Sequence, residues 1–270
     1  MKFALVDGKR ETATKGKVGI CQFCGSELIA KCGEVKVHHW SHKSKRNCDL
    51  WWENESEWHR AWKNEFPTEC QEVIHHGENG ERHIADVKTK KGWSIEFQHS
   101  FLNTEERRSR NEFYPNLIWV VDGLRRKRDK LKFKRVIKEE SIAINGKPYV
   151  IQIRNPDENV LLKEWCNNNS YVFYDFQERN FSNELTLWLL FPSNSFNNLF
   201  LSPVTRNEFI ESLNNDNFEE LINDRIKSIR KGLEDNQRIM RVYNTSSKHR
   251  KMAAINKYMT NRQRRKLTRF

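Results

Sequence analysis

Between Glu81 and Ser100 the chain reads ERHIADVKTKKGWSIEFQHS, two short alternating segments joined by a Lys-Lys-Gly turn. Side chains alternate faces along a strand, so Arg82, Ile84, Asp86 and Lys88 share one face of the first segment. Ser94, Glu96 and Gln98 share one face of the second. A hairpin therefore brings Asp86, Glu96 and Gln98 together. Two carboxylates and an amide carbonyl are hard oxygen donors, the kind that suit Mg²⁺ or Mn²⁺ in polarising a phosphate or activating water. An exposed polar hairpin face has the same pattern, and a lone D…ExQ arises by chance in many chains.

Charge narrows the choice. A net charge of +12 and a pI near 9.4 over 270 residues are unusual for an enzyme of small molecules and favour a polyanionic partner, most simply nucleic acid, although a basic surface can also serve membranes or acidic proteins. No stretch approaches the ~20 apolar residues that cross a bilayer, and the first residues, MKFALVDGKRETATKGK, do not read as a secretory signal. A cytoplasmic protein without a membrane partner is expected. Its six cysteines then read as thiols or metal ligands rather than disulfides.

Four ligand-type residues cluster near the N-terminus. Cys21-x2-Cys24 lets two thiolates converge on one zinc ion, and His39-x2-His42 follows. A structural Cys2His2 zinc site on Cys21, Cys24, His39 and His42 is the leading reading, with His38, Cys48 or Cys32 as substitutes; buried thiols beside a surface histidine cluster are the alternative. Gly25 fits the tight knuckle because glycine tolerates positive φ. Zinc would stabilise a segment too short to bury enough apolar surface by itself.

A helix signal comes next. Asn54 and Glu57 have capping-box spacing, and Trp58, Ala61, Trp62 and Phe66 recur at helical spacing before Pro67. Glu57 and His59 read as a capping acid and a surface residue unless something promotes them. Residues Glu69 to His76 make a strand, the hairpin adds two, Asn103 opens a helix through about Phe113, and Leu117 to Val121 form a buried strand. Helix, three strands, helix, strand is an α/β (α+β) arrangement. On the second helix Arg107, Arg110, Asn111 and Tyr114 fall on one side, either a phosphate path or a solvated basic face.

These residues resemble the CoiA-like family of bacterial nucleases. The family shows C-x2-C, an HFAH-like tetrapeptide and a nearby Cys; here these are Cys21, Cys24, His39-Trp40-Ser41-His42 and Cys48. An acid and a His opening a helix, an RPDI-like segment, IEFQ, an arginine-rich helix ending in Tyr and an IWIL-like strand follow in the family. Their counterparts are Glu57 and His59, Arg82 to Val87, Ile95-Glu96-Phe97-Gln98, Arg107 to Tyr114, and Ile118 to Val121. The resemblance spans roughly residues 1 to 125, and its ordered set of motifs is more specific than any one alone.

The resemblance implies a restriction-endonuclease-like core of the PD-(D/E)XK type with a central mixed sheet. Asp86 and Glu96 would then bind the catalytic cation, Gln98 would occupy the usual lysine position, and Glu57 would be the helical acid, with His59 beside it. Ala85 replaces the family's proline. Gln98 is neither cation nor base, so its amide can only orient water or donate to phosphate. Lys88, on the face of Asp86, can contact phosphate in place of the missing lysine or stand as a solvated turn residue.

Beyond the resemblance, Arg125 to Arg135 read RRKRDKLKFKR and suit a phosphate backbone without reading sequence, with Arg125, Arg126 and Arg128 as candidate contacts. Pro148 to Ile153, Tyr171 to Phe176 and Leu185 to Phe191 look like strands, and their aromatics suit a core more than base stacking. From Asn207 the pattern is helical, and Ser246 to Phe270 are basic without an acid, as a helix on nucleic acid or a flexible arm.

The expected organisation is a zinc-ribbon-like module over 1–50, a nuclease core over 51–124, a basic segment with further strands over 125–200, and a mostly helical basic region over 201–270. The expected function is a metal-dependent DNA nuclease in DNA processing, competence-related recombination or defence. A noncatalytic nucleic-acid-binding protein of the same fold is the alternative. There is no P-loop, so any unwinding would need a protein partner.

Overall fold

The computed structural model describes residues 1–44, 48–51, 55–144, 146–239 and 241. The chain opens with five short strands, β1 (Phe3–Val6), β2 (Lys9–Thr12), β3 (Val18–Ile20), β4 (Glu27–Lys31) and β5 (His39–His42). They pair antiparallel in the order β2-β1-β3-β4-β5. This curled sheet encloses a small core of Ala4, Ala13, Cys21, Phe23, Leu28 and Trp40, against which Ile74 and Ile84 of the following region pack. A core of that size does not hold fifty residues together unaided.

The first helix, α1 (Glu57–Lys63), is capped by Ser56, whose hydroxyl accepts from the His59 amide. Asn54, the cap expected from spacing, lies outside the described residues. A nine-stranded sheet follows, from β6 (Gln71–His76), β7 (Arg82–Lys88), β8 (Ser94–Gln98) and β9 (Leu117–Asp122) to β10 (Ser141–Ile144), β11 (Val150–Ile153), β12 (Tyr171–Arg179), β13 (Leu185–Leu190) and β14 (Leu199–Thr205). Its order is β10-β11-β14-β13-β12-β9-β8-β7-β6. Only β8-β9 and β9-β12 are parallel, joined through α2 (Thr104–Phe113), α3 (Asp129–Glu139) and α4 (Val160–Trp165). The helix α5 (Arg206–Asn214) and a long helix over 218–239, α6, close the described part.

Both faces of the sheet are covered, and that is why β9 reads as an unbroken apolar run. Ile118 and Val120 join a cluster with Trp62 of α1, Phe209 of α5 and Ile222 of α6. Leu117, Trp119 and Val121 join another with Phe133 of α3 and Trp165 of α4. The aromatics of β12 are core: Phe173, Tyr174 and Phe176 are buried.

The structure is α+β with a curled first sheet, a central mixed sheet and C-terminal helices, as expected. The borders expected at 124/125 and 200/201 do not divide it. β9 pairs with β12 across the first border, and β14 straddles the second. The run 125–135 is mostly α3, whose Phe133 and Val136 are buried. Its lysines and arginines hid a helical apolar stripe. Among the described residues no helix is long and apolar enough to cross a membrane. The basic stretch 246–270 lies outside the described residues.

Candidate functional site

Two clusters of chemistry stand out. The first is the thiol knuckle. Cys21 follows β3, the Gly25 amide donates to the Cys21 carbonyl at 2.9 Å, and the Cys21 amide donates to the Ser26 carbonyl at 2.8 Å. Gly25 sits at φ +71, which the turn requires and a side chain would resist. The ligand atoms of Cys21, Cys24, His42 and Cys48 all lie within 4.8 Å of one another. Cys21 and Cys48 sulfurs are 3.5 Å apart, and Cys24 Sγ is 3.3 Å from His42 Nε2. Hydrogen bonding to Cys48 pulls the Cys21 thiol far below its ordinary value and pushes Cys48 the other way. Three sulfurs and one imidazole are a donor set for a structural Zn²⁺.

The expected Cys2His2 set is thus corrected to Cys3His. His39 and His42 lie three residues apart on β5, hence on opposite faces. His42 shares the face of buried Trp40, while the His39 ring bonds the Val37 carbonyl at 2.8 Å. His38 precedes the strand and is exposed, about 13 Å of extended chain from His42. Cys32 donates to the Ala13 carbonyl instead.

The second cluster lies where β7 and β8 part. Their ladder holds only Val87 opposite Ile95 and Lys88 opposite Ser94. Beyond it Asp86 Oδ2 accepts the Phe97 amide at 3.0 Å, and a cleft opens. Asp49, Glu55, His59, Lys63, Asp86 and Glu96 line it, with Gln98 and Arg110. About 50 Å³ there admits a cation with a water or two, not a nucleotide.

Helices on the two faces of the sheet reach this cleft. From α1, His59 Nε2 sits 2.8 Å from Asp86 Oδ1, and Lys63 Nζ lies 3.8 Å from the same oxygen. Lys63 also pairs with Glu55 at 2.9 Å and Glu72 at 2.7 Å. The helix is anchored by the indoles of Trp58 and Trp62, both donating at 2.9 Å to Asp175 of β12. From α2, Arg110 Nη1 donates to Glu96 Oε2 at 3.0 Å. The other oxygen, Glu96 Oε1, is buried without a hydrogen-bond partner among the described residues.

The two acids are electrostatically unlike. Burial acts to raise Asp86, but His59, then Lys63 and the Phe97 amide, outweigh it and hold the carboxyl below its ordinary value. Burial, and then the charge of Asp86, push Glu96 up to about 8 against the pull of Arg110. Burial works against the Lys63 charge as well, yet Glu72, Glu55 and Asp86 more than restore it. Two carboxylates that line one cleft, one with a buried oxygen that lacks a hydrogen-bond partner among the described residues, are oxygen donors of the kind that could hold a hard divalent cation.

Comparison with known families decides the first cluster: residues 9–50 match the N-terminal domain of competence protein CoiA. Over those residues the chain is similar to that domain. The match contains Cys21, Cys24, His42 and Cys48 and ends before β7 and β8. No curated protein and no solved structure matches the chain.

The structure brings Asp86, Glu96, Gln98 and His59 together and leaves other expected residues out. Glu57 is exposed on the outer side of α1, and Glu55 reaches the cleft in its place. Lys88 Nζ is 2.6 Å from His75 Nδ1, away from the cleft, and the cation near Asp86 is Lys63. The Gln98 amide nitrogen donates to the Ser100 carbonyl and hydroxyl, each at 3.2 Å. Arg107 and Arg110 are buried, Arg107 against the Trp165 ring and Arg110 on Glu96, so α2 offers them to the protein rather than to phosphate. Arg125 and Arg126 are both held by Glu164. Arg128 is exposed and has no ion pair among the described residues.

Asp49, Glu55, Lys63 and Glu72 were missed by sequence reasoning. Lys63 follows His59 by one helical turn, and that spacing was the available signal. Asp49 and Glu72 gave none, because their neighbours are distant in sequence. The structure also shows His99, half exposed, with Nδ1 held at 2.7 Å by buried Asp122.

Proposed function

We propose that this protein is a divalent-metal-dependent nuclease of the CoiA type, with a restriction-endonuclease-like core that hydrolyses phosphodiester bonds in DNA during competence-related processing. The observation that carries this reading is the meeting of Asp86 with Glu96 in one cleft, where Glu96 Oε1 is buried and has no hydrogen-bond partner among the described residues.

Asp86 and Glu96 would hold the cation, which when bound supplies charge neutralisation and an acidified water. The chain's own groups do the rest. His59 fixes Asp86 Oδ1 and leaves Oδ2 to the Phe97 amide. Lys63 is a buried fixed charge 3.8 Å from Asp86 and takes the electrostatic role that Gln98 lacks. The cleft is too small for a base, so the phosphate approaches from its mouth and the sugar and base stay outside. The basic balance of the chain favours a polyanion and predicts affinity that falls with salt.

Gln98 favours a second reading. Its amide is turned to Ser100, and with Arg110 already on Glu96 the site has the features of a binding protein without turnover. Incubation with single-stranded, duplex and branched DNA, and with RNA, in Mg²⁺, Mn²⁺ or EDTA separates the two. Metal-dependent cleavage lost in Asp86→Asn and Glu96→Gln supports the nuclease. Binding without cleavage in any metal supports the second reading.

A further inference from the structure

The knuckle and the cleft are joined by two arms, and each arm ends on one carboxylate. The first begins at the ligand Cys48. The next residue, Asp49, is buried; its Oδ2 accepts the Ile84 amide of β7 at 2.7 Å, and its Oδ1 lies 2.8 Å from His83 Nδ1. Trp51, whose amide also bonds Asp49 Oδ1 at 3.0 Å, stacks on the His83 ring at 3.3 Å. The Trp51 carbonyl then accepts Arg110 Nη2 at 2.8 Å, while Nη1 of the same guanidinium holds Glu96.

The second arm begins at β1, which pairs with β3 just before Cys21. The amides of Lys2 and Phe3 donate to the two oxygens of Glu72 at 2.7 and 3.1 Å. Glu72 Oε1 is also 2.7 Å from Lys63 Nζ, and Lys63 faces Asp86. Glu72 holds φ +47, a backbone conformation costly for a residue with a side chain. It persists because β1, α1 and β6 all converge on that carboxylate.

We propose that the zinc module is the positioning element of the carboxylate pair: through Asp49 it sets Arg110 against Glu96, and through Glu72 it sets Lys63 against Asp86. Asp49 and Glu72 are positioning residues that never touch substrate. The inference rests on the reading of Asp86 and Glu96 as a divalent-cation site. It differs from simple gluing of two sheets, because glue predicts a loss of stability without a change in what the cleft binds.

The test uses the full chain, with zinc content measured, Mn²⁺ binding followed by calorimetry, and amide exchange followed at Phe97, whose amide is held by Asp86. Asp49→Ala and Glu72→Gln should keep zinc yet bind Mn²⁺ about 10- to 100-fold more weakly, the scale for groups that orient metal ligands. Zinc removal should do the same and speed exchange at Phe97. Lys43→Ala, which breaks an exposed pair with Glu27 in the same module, should change neither. Parental Mn²⁺ affinity in the zinc-free protein, or in both cleft variants, overturns the proposal. If the parent binds Mn²⁺ and cuts nothing, the nuclease reading falls and the coupling stands. If the parent holds no Mn²⁺, exchange decides, and unchanged protection of Phe97 after zinc removal overturns the coupling.

Discussion

The five-stranded sheet and the nine-stranded sheet are held together by different physics. The first has one small core around Trp40 and a cluster of three thiols and an imidazole that could hold a metal. The second buries apolar side chains on both faces and needs no ion for its fold. Yet the large sheet carries the costly feature, a set of buried charges at the place where β7 and β8 part. A stable apolar scaffold can hold such a cluster, and the weaker module supplies contacts that orient it.

The largest expected effect is withdrawal of zinc. Binding energies for structural zinc in small modules are on the order of 10 kcal/mol, so a chelator or Cys21→Ser should abolish amide protection in β3 to β5. The nine-stranded sheet should keep its protection. Joint melting of both sheets in exchange measurements would erase the contrast.

Lys63→Met should cost about 3–5 kcal/mol in denaturant unfolding, because Glu55 and Glu72 are left buried without their partner. Lys88→Met should cost within roughly 0.5 kcal/mol, as for a peripheral substitution. Asp86→Asn and Glu96→Gln should lower DNA cleavage by about 10²- to 10³-fold, the scale of losing one electrostatic contact with a transition state. Glu96→Gln should leave the melting point near the parent's, since the folded chain keeps that acid protonated near neutral pH, whereas Asp86→Asn should lower it, since His59 and Lys63 lose their carboxylate partner.

The pH dependence sharpens the contrast further. Glu96 titrates near 8 when folded against an ordinary 4.5, so the folded chain keeps a proton that the unfolded chain has released. Its contribution to stability is complete below the ordinary value and is lost progressively as pH rises toward 8. Cation binding needs the deprotonated acid, so Mn²⁺ affinity should rise about tenfold per pH unit and level off near 8. Calorimetry in two buffers should show the released proton.

The smallest effect separates the two kinds of arginine. Arg128→Ala should reduce the salt slope of DNA binding by about 0.7–0.9 if it neutralises one phosphate. Arg107→Ala should leave the slope unchanged and cost about 1–3 kcal/mol in stability, because it is hydrogen-bonded to the Glu164 carbonyl and stacked on Trp165.

Much of the fold was legible because local rules set it. Asn103 caps α2 as its spacing implies, with its side chain accepting from the Glu106 amide, and the apolar run at Leu117 is a doubly covered strand. The helix α3 was not legible, since its charges outnumber its two buried apolar residues. In the site, period-two alternation put Asp86 and Glu96 on adjacent strands, and the structure brings both to one cleft. Alternation could not distinguish Glu57 from Glu55, because the cap fell at Ser56 and turned Glu57 outward. Nor could it choose Cys48 over His39: that choice depends on a return of the chain beside β3.

By itself the sequence determined the strand hairpin with its acids, the Cys21-x2-Cys24 knuckle and the basic balance of the chain, all of them patterns of near neighbours. Only the tertiary structure decided which charges face one another. Glu72 meets Lys63 and the first strand, Asp49 meets His83, and Arg110 meets Glu96, across separations over which burial and geometry, not spacing, select partners. Burial also turned Arg107 and Arg110 from expected phosphate contacts into structural groups and raised Glu96, because a charge removed from water takes its meaning from whatever is packed against it.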